Sequence, residues 1–469
     1  MSKFENITLN NRQFRFSCAL MSGSVNTQGG ETNDMFPVGY NSVNRITVYD
    51  DLFSPFMSAE VVLKAPGNFT ENAPGLKFRY TSNNRNLIGF YLEPEDTAEL
   101  AEPNNKLNQL FLVGNIEDYN AIAESVNSAQ FHFYKVIDSN QVLLEEKKVS
   151  NVYEKVNTGI TASDNIKEIV KIGLGPNYVD GQFTAGDTNV DRPYLFPIYF
   201  SLMDAINFLL PFNITEKSGL PAQLFIRYDY HTKQMKNFSL IDLFLEPDKL
   251  ENNLETFYLG TNDGDPDNNG DLGNVKFPQS NFVPIQNTVN NLTYNNVDFK
   301  SSNEVLLPIL VSNTTDPTNS NAFTYVDLQK EIQNFQDKVI TKLSSLYGGS
   351  VKLNVDLDES KLNKQNYRVL TSPFSIDLNV KVAKAQMYNS FLMHNMNMTF
   401  VTDGQPYREP GKFITIGRQS SDKVPDTMFT NKIFGQWLVT QVQHIITGDG
   451  KYKNVIQCVK PFINKLEEQ

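Results

Sequence analysis

The sequence predicts a mainly β protein with an α+β middle, and three observations carry that reading. The apolar content leans on aromatic residues, with 33 Phe and 20 Tyr in 469 residues, as strands favour. Short runs that alternate apolar and polar positions, separated by turn-rich loops, fill both ends of the chain. Between them lie two runs with helical spacing, each closed by Gly or Pro. A single core seldom grows beyond about 250 to 300 residues. Three regions are therefore expected: a first β domain over 1–147, a barrel or a sandwich by its number of strands, an α+β region with long loops over 148–325, and an amphipathic helix with a second β domain over 326–469.

In the first region "FRFSCAL", "RITVYD", "SAEVVLKA", "LKFRY", "IGFYL", "QLFLVGNI" and "AQFHFYKVI" read as strands, and "MSGSVNTQGGETND" as a long loop. The stretch "NRITVYDDLFSPFMSAEVVLKA" holds two strands joined at a corner. Pro55 fixes φ and cannot donate to a ladder, so Leu52, Phe53, Phe56 and Met57 do not sit at the tip of a tight hairpin. Phe53 and Phe56 either reach back into their own core or face a neighbouring subunit, and Asp50 and Asp51 are expected to end the strand and accept from loop amides.

In "TASDNIKEIVKIGLGP", Ile166, Ile169 and Val170 share a helical face, with Ser163 as the expected cap. "PIYFSLMDAINFLLPF" repeats the pattern through Leu202, Ile206, Leu209 and Leu210, ended by Pro211. Two strands follow, "AQLFIRYDY" and "MKNFSLIDLFL", and residues 251–322 read as loops rich in Asn, Asp, Thr and Pro. The clearest amphipathic helix has Leu328, Ile332, Phe335, Val339, Leu343 and Leu346 on one face before Gly348-Gly349. "VKLNVDLD" and "SIDLNVKV" then alternate as strands, and "WLVTQVQHIITGDGKYKNVIQCVKP" is a hairpin turned at Asp449-Gly450.

The net charge of −12 and pI near 5.0 exclude a basic surface that would grip nucleic acid. Cys18 and Cys458 cannot form a disulfide framework, and reduced thiols are expected. The start "MSKFENITLNNRQF" is polar where a signal peptide needs an apolar core, and no apolar run has the length of a membrane span, so cytoplasmic synthesis without membrane insertion is expected. "TNDGDPDNNGDLG" places Asp265, Asp267, Asn269, Gly270 and Leu272 in calcium-loop order, but the twelfth position is Lys276 where a bidentate Glu is needed, and a solvated turn is the reading. The four histidines, His132, His231, His394 and His444, lack the spacing of a zinc protease. His444 alternates with Leu438, Val442 and Ile446 and reads as a satisfied strand residue, while Trp437 reads as core. Nucleophile-elbow, P-loop and dinucleotide motifs are absent, so no catalytic residue, cofactor or metal ligand is expected.

An ordered set of motifs resembles the baseplate central hub proteins of contractile-tailed phages. Tyr49 to Val61 resembles a "Y-D/E-x-L-F-x-P-x-x-S-A-x-V" corner. "VSNVYEKVNTGITASDNIKEIV", "PIYFSLMDAINFLLPF" and "PAQLFIRYDYHTKQMKNFSLIDLF" look like the family's helical and strand segments, and "REPGKFITIG" with "FGQWLVTQVQHIITGDGKYKNVIQCVKP" like its closing strands. The set covers under half of the chain, and residues 251–346 have no counterpart in it.

The resemblance implies a homotrimer whose subunits each supply two tube-type antiparallel β-barrels. The resulting pseudo-sixfold ring would join a sixfold tail tube, or its initiator, to a threefold central spike, contact baseplate wedge proteins, pass DNA without binding it, and perform no catalysis. It also implies a place in the virion tail baseplate, reached by assembly in the host cytoplasm. In such a ring Phe53, Pro55 and Phe56 are candidates for the subunit interface, although filling the chain's own core suits them equally. Asp356, Asp358 and Asp377, on the polar faces of their strands, are candidates for the lumen. A carbohydrate-binding receptor or fibre protein of the virion and a β-rich glycoside hydrolase are the alternatives.

Overall fold

The computed structural model describes residues 4–23, 34–65, 85–95, 106–119, 130–149, 161–179, 196–197, 199–230, 232–245, 255–259, 288–296, 309–312, 323–326, 328–343, 368–371, 376–393, 396–417 and 435–460. The strands expected at 76–80 and in "VKLNVDLD", the acidic loop at 261–273, Leu346, Asp356 and Asp358 lie outside them.

The chain is mostly β, and the described residues of its first region form eight strands: β1 (Glu5–Leu9), β2 (Arg12–Gly23), β3 (Asp34–Val38), β4 (Val43–Asp51), β5 (Ser58–Ala65), β6 (Arg85–Pro94), β7 (Leu107–Tyr119) and β8 (Gln130–Asp138). The order is β1-β2-β6-β7-β8-β5-β4, with β3 also on β2, and every pairing is antiparallel. Alternation puts Phe14, Phe16, Val48, Val61, Ile88 and Leu92 into one apolar core.

The middle is α+β. Helix α1 (Ser139–Glu146) follows β8 directly, capped by Asp138, whose carboxylate accepts from Asn140 N at 2.7 Å. In α2 (Ala162–Leu174) the cap is Thr161, not Ser163: the Thr161 hydroxyl accepts from Asp164 N, while Ser163 turns inward and donates to Asn213. Helix α3 (Leu202–Leu209) has a capping box of Ser201 and Asp204. Two hairpins follow, β9 (Ile214–Lys217) with β10 (Leu220–Gln223), and β11 (Phe225–Asp229) with β12 (Gln234–Phe238). The strand expected through "MKNFSLIDLFL" stops at Phe238, because the Ser239 hydroxyl accepts from Asp242 N at 3.1 Å and opens a short helix, α4 (Leu240–Leu245).

The tract expected to be loop contributes strands. β13 (Glu255–Leu259) and β14 (Thr288–Asn296) insert between β19 (Phe413–Gly417) and β18 (Met396–Asp403), which also flank the terminal hairpin of β20 (Gly435–Thr447) and β21 (Lys451–Lys460). The order β20-β19-β13-β14-β18-β21 returns to β20, so this second barrel closes. β13 runs parallel to both neighbours, a departure from the antiparallel expectation that the long connections on either side of it permit. β15 (Ile309–Ser312), β16 (Phe323–Val326) and β17 (Arg368–Thr371) form a separate small sheet.

Helix α5 (Leu328–Phe335) continues through a π turn, Gln336–Ile340, which lets the adjacent Val339 and Ile340 both bury. "SIDLNVKV" is not a strand: it begins α6 (Ile376–Met393). Four alternating apolar positions satisfy a strand, but the run continues with Ala383, Ala385, Met387, Phe391 and Leu392 buried at helical spacing, and strong helix formers prevail. α6 lies against β10, β15 and β16, and shares its core with α4, α5 and the outer face of the second barrel. Asp377 is exposed in its first turn, where a negative charge favours the helix N-terminus, and so does not lie on a strand.

Cys18 is buried in the first barrel and Cys458 in the second, both free. Burial pushes the Cys18 thiol up to about 12 and raises that of Cys458 as well. A thiol reagent is therefore expected to label neither in the folded protein and both after denaturation without reductant, counted by intact mass.

Candidate functional site: the joint between the barrels

The hairpin β20–β21 belongs to both barrels. Gly435–Leu438 pair with β19 in the second, while Gln441–Thr447 pair with β4 of the first. A bulge at Thr440 separates the two stretches. A bulge changes which parity faces inward, so Trp437 and Val439 share an interior with Val442, although the spacing across the bulge is odd. Leu438, which the sequence placed in step with His444, turns outward to the helices instead. At the tip, Ile446 and Tyr452 complete the core of the first barrel. The β1–β2 turn holds that tip, with Asn10 N donating to Gly450 O at 2.9 Å and the Asn10 side chain bonded to both backbone groups of Tyr452.

Between the two apolar interiors lies a polar layer. Arg408 is 4% exposed, and its guanidinium donates to Glu255 at 2.7 to 3.2 Å, to Asn454 Oδ1 at 3.0 Å and to the Asp403 carbonyl. It also covers the Phe257 ring at 5.0 Å. Asn454 Oδ1 accepts from Gln405 N at 2.7 Å as well, which fixes the amide so that Nδ2 donates to His444 Nδ1 at 3.0 Å. Tyr452 Oη lies 2.8 Å from the same nitrogen. His444 is therefore neutral with its proton on Nε2. Burial, and then the Arg408 charge, hold it down to about 3.

The segment "DGQPYREPGK", 403–412, supplies this layer and crosses the joint without regular structure after Asp403. Arg12 of the first barrel donates to Gly404 O and Gln405 Oε1, each at 3.2 Å, and Asn10 donates to Asp403. Tyr407 and Arg408 hold Glu255 of the second barrel, and Gly411 N donates to Val439 O. Arg227 of the α+β region donates to Pro410 O at 2.7 Å. Gly404 faces the ring of Tyr452 so closely that a Cβ would lie 2.2 Å from it.

The corner after β4 is the other half of the joint. Asp50 is buried against Arg227, with Glu409 3.9 Å from the same guanidinium; burial raises the Asp50 carboxyl to about 6 while Arg227 pulls it down. Asp51 is the residue that accepts from a loop amide, Phe53 N at 2.8 Å. Of the candidate interface residues, Pro55 and Phe56 are buried in the chain's own packing, Phe56 against Tyr228, and Phe53 is half-buried edge-on to Phe225. The Pro55 carbonyl accepts from Tyr228 N, and Met57 N donates to the Tyr230 hydroxyl. The corner thus seats the α+β region on the barrels. Among the described residues no cluster has the makings of a metal site, and no described helix is long and apolar enough to cross a membrane.

No family model and no curated protein matches the sequence. Solved structures do. The chain is similar to the tail protein from Neisseria meningitidis MC58, at 7% identity and a TM-score of 0.50 over 94% of this chain and 96% of that one. It is also similar to the 43 kDa tail protein of prophage MuSo2 from Shewanella oneidensis, at 8% identity and a TM-score of 0.48 over 95% and 98%. A third is the E. coli c3393 protein, a type VI secretion system component described as structurally similar to T4 bacteriophage tail proteins, at 9% identity and a TM-score of 0.39 over 91% and 74%. The likeness to the Neisseria protein is one of fold, and it meets the tail-protein fold that the motifs imply.

Two outcomes test the joint. Gly404→Ala should destabilise the protein by about 1–3 kcal/mol in denaturant unfolding, because the Tyr452 ring is enclosed and cannot yield. His444 binds its proton more weakly folded than unfolded, so its contribution is complete above about pH 6.5 and falls as pH drops toward 3. His444→Gln lacks that titration, so the difference in melting temperature between the native protein and the variant should shrink steadily below pH 6.5.

Proposed function

We propose that this chain is the structural hub of a phage tail baseplate, three copies forming a ring that joins the sixfold tail tube to the threefold central spike. The observation that carries the reading is that one subunit holds two barrels on a single shared hairpin. Such a subunit presents two barrels, so a threefold ring of subunits is a ring of six barrels. The tail-protein fold, spanning nearly the whole chain, supports it.

The role is mechanical, not catalytic. The buried ionisable groups of the joint are engaged with one another and hold elements together: Arg408 with Glu255, and Asp50 with Arg227. The ring passes DNA without retaining it. A basic bore would capture phosphate through counterion release, whereas each subunit brings a net charge of −12. The spike, the tube or its initiator, and the wedge proteins are the partners, in the virion tail baseplate.

Native mass spectrometry of the purified chain, alone and mixed with the spike protein of the same phage, tests this. A trimer in at least one condition is expected; a monomer in both would refute the ring. Duplex DNA at physiological salt should show no tight binding.

A further inference from the structure

We propose that the 403–412 segment is a coupling strap that makes the two barrels and the α+β region one cooperative folding unit. Ordinary surface loops touch the elements they connect. This one joins β18 to β19, both in the second barrel, yet bonds to Arg12 of the first barrel and to Arg227 of the α+β region. It is also largely buried, with Gly404, Gln405, Pro406, Arg408 and Pro410 all inaccessible. A buried stretch outside helix and strand must have its polar groups paired by tertiary contacts, and here those partners stand on β2 of the first barrel, β11 of the α+β region and β13 of the second barrel. Opening any one of the three bodies removes partners from the strap: Arg12 with the first barrel, Arg227 with the α+β region, and with the second barrel Glu255, the carboxylate that pairs the buried Arg408 guanidinium. The shared hairpin links the two barrels and the corner after β4 seats the α+β region on them; the strap bonds to all three bodies at once. This inference concerns the single chain and stands whether or not the chain forms a ring.

Native-state hydrogen exchange of the full chain decides it. Ile88→Val weakens only the core of the first barrel, far from the strap in sequence, and should speed global exchange there roughly 2- to 10-fold. If the three bodies open together, the slowest amides of β19 and α2 speed up by the same factor. Arg12→Met removes the two Arg12 bonds to the strap without burying a charge, leaving that of Asn10, and in that background the response of β19 and α2 to the same Ile88→Val change should shrink while the shared hairpin still follows the first barrel. An Ile88→Val effect confined to the first barrel in the native background, or an undivided response in the Arg12→Met background, would overturn the proposal.

Discussion

The buried Arg408 guanidinium is the interaction on which the joint depends. Its hydrogen bonds select the Glu255 carboxylate, set the Asn454 amide, and through it fix the tautomer of His444. Removing one partner of a buried charge pair costs about 3–5 kcal/mol, since the other is left without compensation. The polar layer is therefore a poor source of net stability but a strict judge of register. A one-residue slip of β20 on β21 would bring an apolar group against the charge.

Much of the fold was legible. Alternation found β2, β4–β8, β20 and β21, and the positions of Gly and Pro marked where α2 and α3 end. "SIDLNVKV" was misread because four alternating positions are too short a window to separate periods of 2 and 3.6, and the helical pattern declares itself only from Ala383 onward. "TFYL" and "TVNNLTYNN" gave no strand signal strong enough to stand out, since their strandedness depends on neighbours more than a hundred residues later.

The joint was partly legible. His444 and Asn454 are polar residues at inward positions of strands whose other inward residues are apolar, and that inconsistency marks a network. Arg408, Glu255 and Arg227 carried no such mark, because charged residues in a sequence read as surface by default. The corner posed a question that sequence left evenly divided, and within the chain Phe56 packs on Tyr228 while Phe53 stays half-buried.

The closing contribution of Ile446 and Tyr452 to the first barrel has a consequence for synthesis. A ribosome adds about 5–20 residues per second, and domains usually fold as they emerge, the N-terminal one first. Here the N-terminal barrel lacks the Ile446 and Tyr452 side chains of its core, and β4 its hairpin neighbour, until the last strands have left the exit tunnel. A nascent chain must carry a Phe-rich barrel with an unfinished core and an unpaired β4 edge through most of translation, which makes it a natural client for chaperones.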